Sequence, residues 1–252
     1  MSDANCPNCG DRVPTAIARA VMLTCPSCST TLYVDGGRLR HAGTAGEMLD
    51  APLLFDVGDR VTLGLDTYDV LGHARFSYGR GWWDEFWVED AEGGGAWLSV
   101  DEGDIVLQVL VPRDRWPAVP RNIRVGSGIQ AFGQSFVITE RDQGTCVALR
   151  GVFGEALQIG ETYEYLNANG SDGSLLSGEF WEGGQAWSLG RWYDPFETTV
   201  SVLDGRARDW EGARTGDGGD APPPPPGMAP PPPPPGDAGT SGGSFDGPWG
   251  KG

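Results

Sequence analysis

Four cysteines fall into two Cys-x-x-Cys pairs, Cys6-Pro-Asn-Cys9-Gly and Cys25-Pro-Ser-Cys28, with fifteen residues between the pairs. Each such turn lets two thiolates point at one ion, and tetrahedral zinc takes four soft ligands. Pro7 presets the first turn, and Gly10 accepts the positive φ that closes it. The spacing is that of a zinc ribbon. A redox pair or a disulfide framework competes, but a redox Cys-x-x-Cys comes singly within a βαβ pattern, which is missing. Four protein thiolates leave no position open to water, so the zinc expected at Cys6, Cys9, Cys25 and Cys28 is structural rather than catalytic. His41 is not needed as a ligand and reads as a surface residue.

A second set of residues couples acid to aromatic. The stretch GWWDEFWVEDAEGGGAWL carries Trp83, Glu85, Trp87 and Trp97, and a shorter echo, EFWEGGQAW, carries Glu179, Trp181 and Trp187. Acid beside aromatic suits a cation, either an arginine-rich peptide or a polyamine held by carboxylates and cation–π contact. The chain has ten tryptophans, more than two small cores require, so some are expected to line an exposed groove. The pairs Asp84 with Glu85 and Glu179 with Glu182 also allow a carboxylate-based hydrolase with a tryptophan-lined cleft. Neighbours on a strand point to opposite faces, however, so Asp84 and Glu85 cannot share one site directly. The structural alternative is that these tryptophans are core or cross-strand pairs. No nucleophile elbow, Walker loop or Rossmann glycine pattern is present. Cys146, in a strand-like run, reads as a buried inert thiol. The chain is therefore not expected to be an enzyme.

Positioning these residues falls to β-structure. Aromatic strand, glycine-rich turn and aromatic strand make a hairpin, and its recurrence suggests two related units. Val57-Gly58, Val61, Leu63, Tyr68 and Val70 alternate with polar residues, and Val125-Gly126, Ile129, Ala131, Phe136 and Ile138 repeat the register. The valine-to-aromatic offset is eleven residues in both copies. The gap from valine to Glu-Phe-Trp is 28 residues in the first copy and 54 in the second, which places an insertion near 151–176. No helical period is sustained over 53–204. The expected organisation is a zinc ribbon (1–39), a linker (40–52), a first β repeat (53–111), a proline-stiffened linker (112–121) and a second β repeat (122–204). The fold class is mostly β, as two small barrels or one two-sheet assembly. From 205 to 252 the chain is rich in proline and glycine, with blocks at Pro222–Pro226 and Pro230–Pro235, and is expected to be a disordered spacer. Phe245 and Trp249 near its end offer a short docking peptide.

The net charge is −17 and belongs mainly to the middle of the chain, where residues 51–205 carry ten basic against twenty-four acidic residues, net −14. Such a surface repels phosphate backbones, so nucleic acid is not the expected partner. The start, MSDANCPNCG, has no signal-peptide pattern, and the run near Ile105–Val111 is too short to span a bilayer. A cytoplasmic protein with reduced or metal-bound cysteines is the expectation.

The arrangement resembles a bacterial family known as domain of unknown function 4178. The family's strand pattern Gly-x-x-x-Tyr-x-Val-x-Gly reads here as Gly64, Tyr68, Val70 and Gly72, and its aromatic hairpin as Trp83, Glu85, Phe86, Trp97 and Leu98. Members often carry the Cys-Pro-x-Cys ribbon in front. The second repeat lacks the glycine of the pattern, and His73 stands where the family tends to have arginine. The resemblance implies a non-enzymatic cytosolic protein from gene systems linked to a polyamine aminopropyltransferase-like enzyme, small membrane proteins and envelope stress. The expectation is a zinc-binding scaffold or adaptor with a protein partner, which could itself be a membrane protein. The alternatives are a protein that binds a polyamine-like cation and a carboxylate-based hydrolase.

Overall fold

The computed structural model describes residues 4–13, 20–35, 38–120 and 122–202. The proline-rich segment with Phe245 and Trp249 lies outside the described residues. The fold is mostly β. Its ribbon strands are β1 (Ala4–Asn5), β2 (Arg12–Val13), β3 (Met22–Thr24), β4 (Thr30–Asp35) and β5 (Arg38–Thr44). The first repeat gives β6 (Asp59–Leu63), β7 (Asp66–Ser77), β8 (Trp82–Asp90), β9 (Gly95–Asp101) and β10 (Asp104–Leu110). After a short 3-10 turn at Arg113–Arg115 come β11 (Gly128–Ala131), β12 (Gln134–Phe153), β13 (Thr162–Gly170), β14 (Ser174–Trp181), β15 (Gly184–Tyr193) and β16 (Thr199–Val202).

The two repeats do not close separately. The order β7-β8-β9-β10-β15-β14-β13-β12 returns from β12 to β7, so both repeats build one antiparallel ring. Two long strands make this possible. The first half of β7 pairs with β6 and its second half with β12, with an irregularity at Val70/Gly72 between them. β12 pairs in succession with β11, β13, β7 and β3, and is bent by irregularities at Ile138/Glu140 and Cys146/Ala148. Bulges of this kind raise local twist and let one strand serve several partners. Closure leaves the ring itself without a free edge.

Segment 151–176, which the spacing marks as an insertion, holds the end of β12, all of β13 and the start of β14, and so forms part of the ring wall. Counted by strand, β8 corresponds to β13, whereas the Glu-Phe-Trp echo falls one strand later, on β14. Nor does the ribbon end where the polar composition begins, because β5 continues to Thr44.

Alternation divides the side chains of the wall into two sets. Phe86, Val88, Ala96, Leu98, Ile105 and Leu107 point outward under a cover made by β6 and Phe55. Phe136, Ile138, Leu166, Leu176 and Trp187 form the corresponding outer cluster of the second repeat, covered from β11 and by Trp116, Val119 and Ile123. Fully burying an aliphatic or aromatic side chain stabilises by about 1.5–3 kcal/mol, so these two outer layers are a large apolar source of stability. The inside of the ring is different in kind. It holds Phe76, Trp83, Trp87 and Trp97 together with the buried polar residues Glu85, Ser99, Gln108, Asn167 and Ser177.

Candidate functional site

The two Cys-x-x-Cys turns converge. All four Sγ atoms lie within 4.8 Å of one another, with Cys6 to Cys28 and Cys9 to Cys25 both at 3.8 Å. Each turn is closed by its own backbone: Gly10 N–H donates to Cys6 O and Ser29 N–H to Cys25 O. Gly10 has φ 80°, as the sequence required, and Ser29 takes φ 55° in the matching place. Thr30 Oγ1, 3.2 Å from Cys28 Sγ, and the Asn8 amide hold that thiol down at about 6. Four thiols so placed could hold one metal ion, and they fit the soft tetrahedral donor set. His41 is exposed on β5, opposite Leu32.

Inside the ring, acid and aromatic residues meet around a cavity of about 200 Å³. Glu85 from β8, Trp97 from β9, Glu179 and Trp181 from β14, and Phe76 from β7 line it. The segment joining β12 to β13 supplies Glu155 and Glu161, and β13 supplies Tyr163. No basic side chain is among the lining residues. Glu85 accepts from Trp83 Nε1 at 3.0 Å and from Ser99 Oγ at 3.2 Å, and Gln108 Nε2 donates to Ser99 Oγ at 2.8 Å. Trp97 Nε1 donates to Glu155 Oε1 at 3.2 Å, and Tyr163 OH to Glu161 Oε2 at 3.0 Å.

Enclosure makes these carboxylates resist ionisation. Burial pushes Glu85 up to about 6, with Glu155 adding to the rise. Glu179 is pushed up to about 8, first by the crowding of the protein around it and then by the charges of Glu85 and Glu155. Its residue surface remains solvent-accessible, so water and small solutes reach it. Glu155 is raised by burial as well. The cavity gathers carboxyl groups with no basic side chain beside them.

Of the residues singled out from the sequence, Glu85, Trp97, Glu179 and Trp181 come together here. Trp83 and Trp87 stand behind the cavity. Trp83 packs on Phe76 and Tyr165, and Trp87 meets Trp97 edge-on at 5.2 Å. Trp187 is elsewhere: it is 1% exposed in the outer cluster, edge-on to Phe180. The sequence did not point to Glu155, Glu161 or Tyr163, which reach the cavity from the segment read as an insertion.

Asp84, on the other face of β8, belongs to a separate buried hub. Arg75 Nε and Nη2 donate to its two oxygens at 2.8 and 3.1 Å, and Arg75 Nη1 reaches Leu49 O. Arg150 Nε donates to His73 Nδ1 at 3.0 Å, so His73 Nε2 carries the proton it gives to Asp84 Oδ1 at 2.7 Å. Burial, seconded by Arg150 and Arg75, holds His73 below its ordinary value, so it stays neutral. Burial would raise Asp84, but its bonds to His73 and Arg75 outweigh that and hold it low. The β7–β8 hairpin register, in which Arg75 faces Asp84, was the signal that could have exposed this hub.

A family model described as Domain of unknown function (DUF4178) matches residues 56–195, more than half of the chain. The chain belongs to this family. The DUF4178 segment contains the whole ring, the cavity and the His73 hub, and leaves the cysteine cluster in front of it. No curated protein and no solved structure matches the chain.

Proposed function

We propose that this DUF4178 protein binds a small organic cation of the polyamine class in the ring cavity, without catalysis, and that the cysteine cluster carries a structural zinc ion. One observation carries the first part: Glu85, Glu155 and Glu179 crowd an aromatic-walled cavity lined by no basic side chain. A cation there would relieve the mutual repulsion of the carboxylates, and Trp97, Trp181 and Tyr163 would pack on its methylene groups. Among the described residues, the cysteine cluster alone brings three or more ligating atoms close enough for a single ion. The cavity carboxylates are thus too dispersed for one metal ion and suit an extended amine.

Binding should be linked to protons. A bound ammonium favours the ionised form of Glu179, which releases its proton, so affinity rises as pH climbs toward about 8. Calorimetric titration of the metal-loaded full chain with spermidine should give a saturable, salt-sensitive isotherm. Glu179→Gln should weaken it about tenfold, the loss of one charge-assisted contact. Absence of saturable heat at pH 8 would sink this reading.

A protein-docking role is favoured by a different surface. Val109 and Leu110 on β10 are 52% and 41% exposed beside a groove that includes Leu189 and Trp192. An adaptor that carries its ligand to a soluble or membrane-anchored protein in the cytoplasm would use this strip. Val109→Asp should then abolish capture of that partner while spermidine binding persists.

A further inference from the structure

The ribbon is not an appendage hung beside the ring. Its strand β3 pairs with the end of β12, Leu23 opposite Val152 and Met22 opposite Phe153. Gly151 N–H donates to Thr24 Oγ1 at 2.7 Å, and Val21 N–H to Phe153 O at 2.9 Å. The two faces of this short strand serve two cores. Leu23 packs with Cys6, Cys25, Val13 and Leu32 in the ribbon. Met22, fully buried, packs with Trp87, Trp97 and Phe153 inside the ring. Cys25 is the very next residue after β3.

On the ring side the chain runs from Phe153 straight into the cavity wall. Gly154 lies under Trp87, where a Cβ would come within 2.2 Å of the indole, and Glu155 is the next residue, bonded to Trp97. From the thiolate cluster to a cavity carboxylate there is therefore one continuous path: Cys25, β3, the last residues of β12, Glu155. The far end of that wall is anchored separately, by Gly160 N–H to Cys146 O and Cys146 N–H to Glu161 O. Glu155 thus sits two residues past the last pair with β3, whereas Glu161 sits at the end of the wall tied to Cys146.

We propose that metal binding at the cysteine cluster and cation binding in the cavity are coupled through β3, so that the ribbon acts as a metal-dependent clamp on the Glu155 wall. This inference rests on reading the cavity as a cation site. Two consequences follow from linkage: metal removal weakens the cation's binding, and the cation tightens the metal's by the same factor. Glu179 and Trp181, on β14, lie off this path and keep their places when the metal leaves.

Hydrogen exchange of the full chain, zinc-loaded and chelated, reads the clamp without any ligand. Chelation should speed exchange at residues 150–157 and leave β14 and β15 protected, and spermidine affinity should fall about fivefold or more. Thr24→Val cuts the bond to Gly151 without touching a cysteine, and should loosen the same segment in zinc-loaded protein. That variant keeps the test decisive if chelation unfolds the whole chain. Unchanged exchange at 150–157 in both cases would overturn the coupling. If zinc-loaded protein binds no spermidine, the cation reading fails, while the exchange data still decide whether the ribbon clamps the wall.

Discussion

The two Glu-Phe-Trp hairpins begin alike and end on opposite faces. In both, the glutamate enters the cavity, while the phenylalanine faces an outer apolar cluster: Phe86 beside Phe55, Phe180 beside Trp187. The closing tryptophans then part company. In the first hairpin Trp87 pairs with Trp97 and Glu85 with Ser99, so Trp97 shares the inner face with Glu85. In the second, Glu179 pairs with Ala186 and Gly178 with Trp187, so Trp187 is turned outward. The cause is the parity of the turn. Five residues, 90–94, separate the pair Glu89–Gly95, whereas two, Glu182 and Gly183, separate Trp181–Gly184. Side chains alternate with period two, so an odd difference in turn length exchanges every partner's face. Similar motifs have thus made a cavity-facing indole in one place and a core indole in the other.

The hairpins also differ in what fixes them, and that sets the largest expected effect. Asp84, one residue before Glu85, joins the buried hub, while Gly178, one residue before Glu179, joins nothing comparable. Asp84→Asn should cost about 3–5 kcal/mol in denaturant unfolding, because Arg75 is left buried with no carboxylate. The same hub gives an acid limit. His73 is held neutral, its folded pKa below the ordinary value near 6.5, so the stability it confers is complete above about pH 6.5 and lost as pH falls toward the folded pKa. A His73→Gln variant that kept the full acid dependence would remove the hub from this account.

Next in size, and opposite in sign, is Glu179→Gln. Its folded pKa of about 8 lies above the ordinary carboxylate value, so the wild type loses stability as pH rises from about 4.5 through 8. The variant should gain thermal stability at pH 8–9, and little at pH 5, while binding spermidine about tenfold more weakly. The smallest effect belongs to the outward indole. Trp187 Nε1 is buried without a hydrogen-bond partner, so Trp187→Phe removes an unsatisfied donor and should change stability by less than about 1.5 kcal/mol. Trp97→Phe, in contrast, loses the bond to Glu155 and should weaken spermidine binding. Equal effects of the two substitutions on binding would erase the distinction between the hairpins.

Much of this was legible in the residues. Period-two alternation announced the strands, and the doubled Cys-x-x-Cys announced the cluster of four thiols. The echo of Glu-Phe-Trp singled out Glu85 and Glu179 together, and both line one cavity. What stayed hidden was non-local. Pairing of β7 with β12 joins residues 70 to 79 positions apart, Ala74 opposite Leu149 among them, and no hairpin signal records it. Trp187 was misplaced because aromatic identity was visible whereas turn parity had to be counted. Glu155 and Glu161 were missed because a connection between strands carries no periodicity to reveal where its side chains will point.

Several tryptophans of the ring rest directly on glycine. A Cβ on Gly144 would come within 2.2 Å of Trp83, one on Gly95 within 2.2 Å of Trp87, and one on Gly184 within 2.5 Å of Trp181. Each ring and its glycine are therefore one unit of inheritance. The indole can shrink alone at the cost of a void, but the glycine cannot grow while the indole remains, so the permitted order of change is fixed. Drift in this wall has a direction, and a relative bearing alanine at position 95 should already have given up the large ring at position 87.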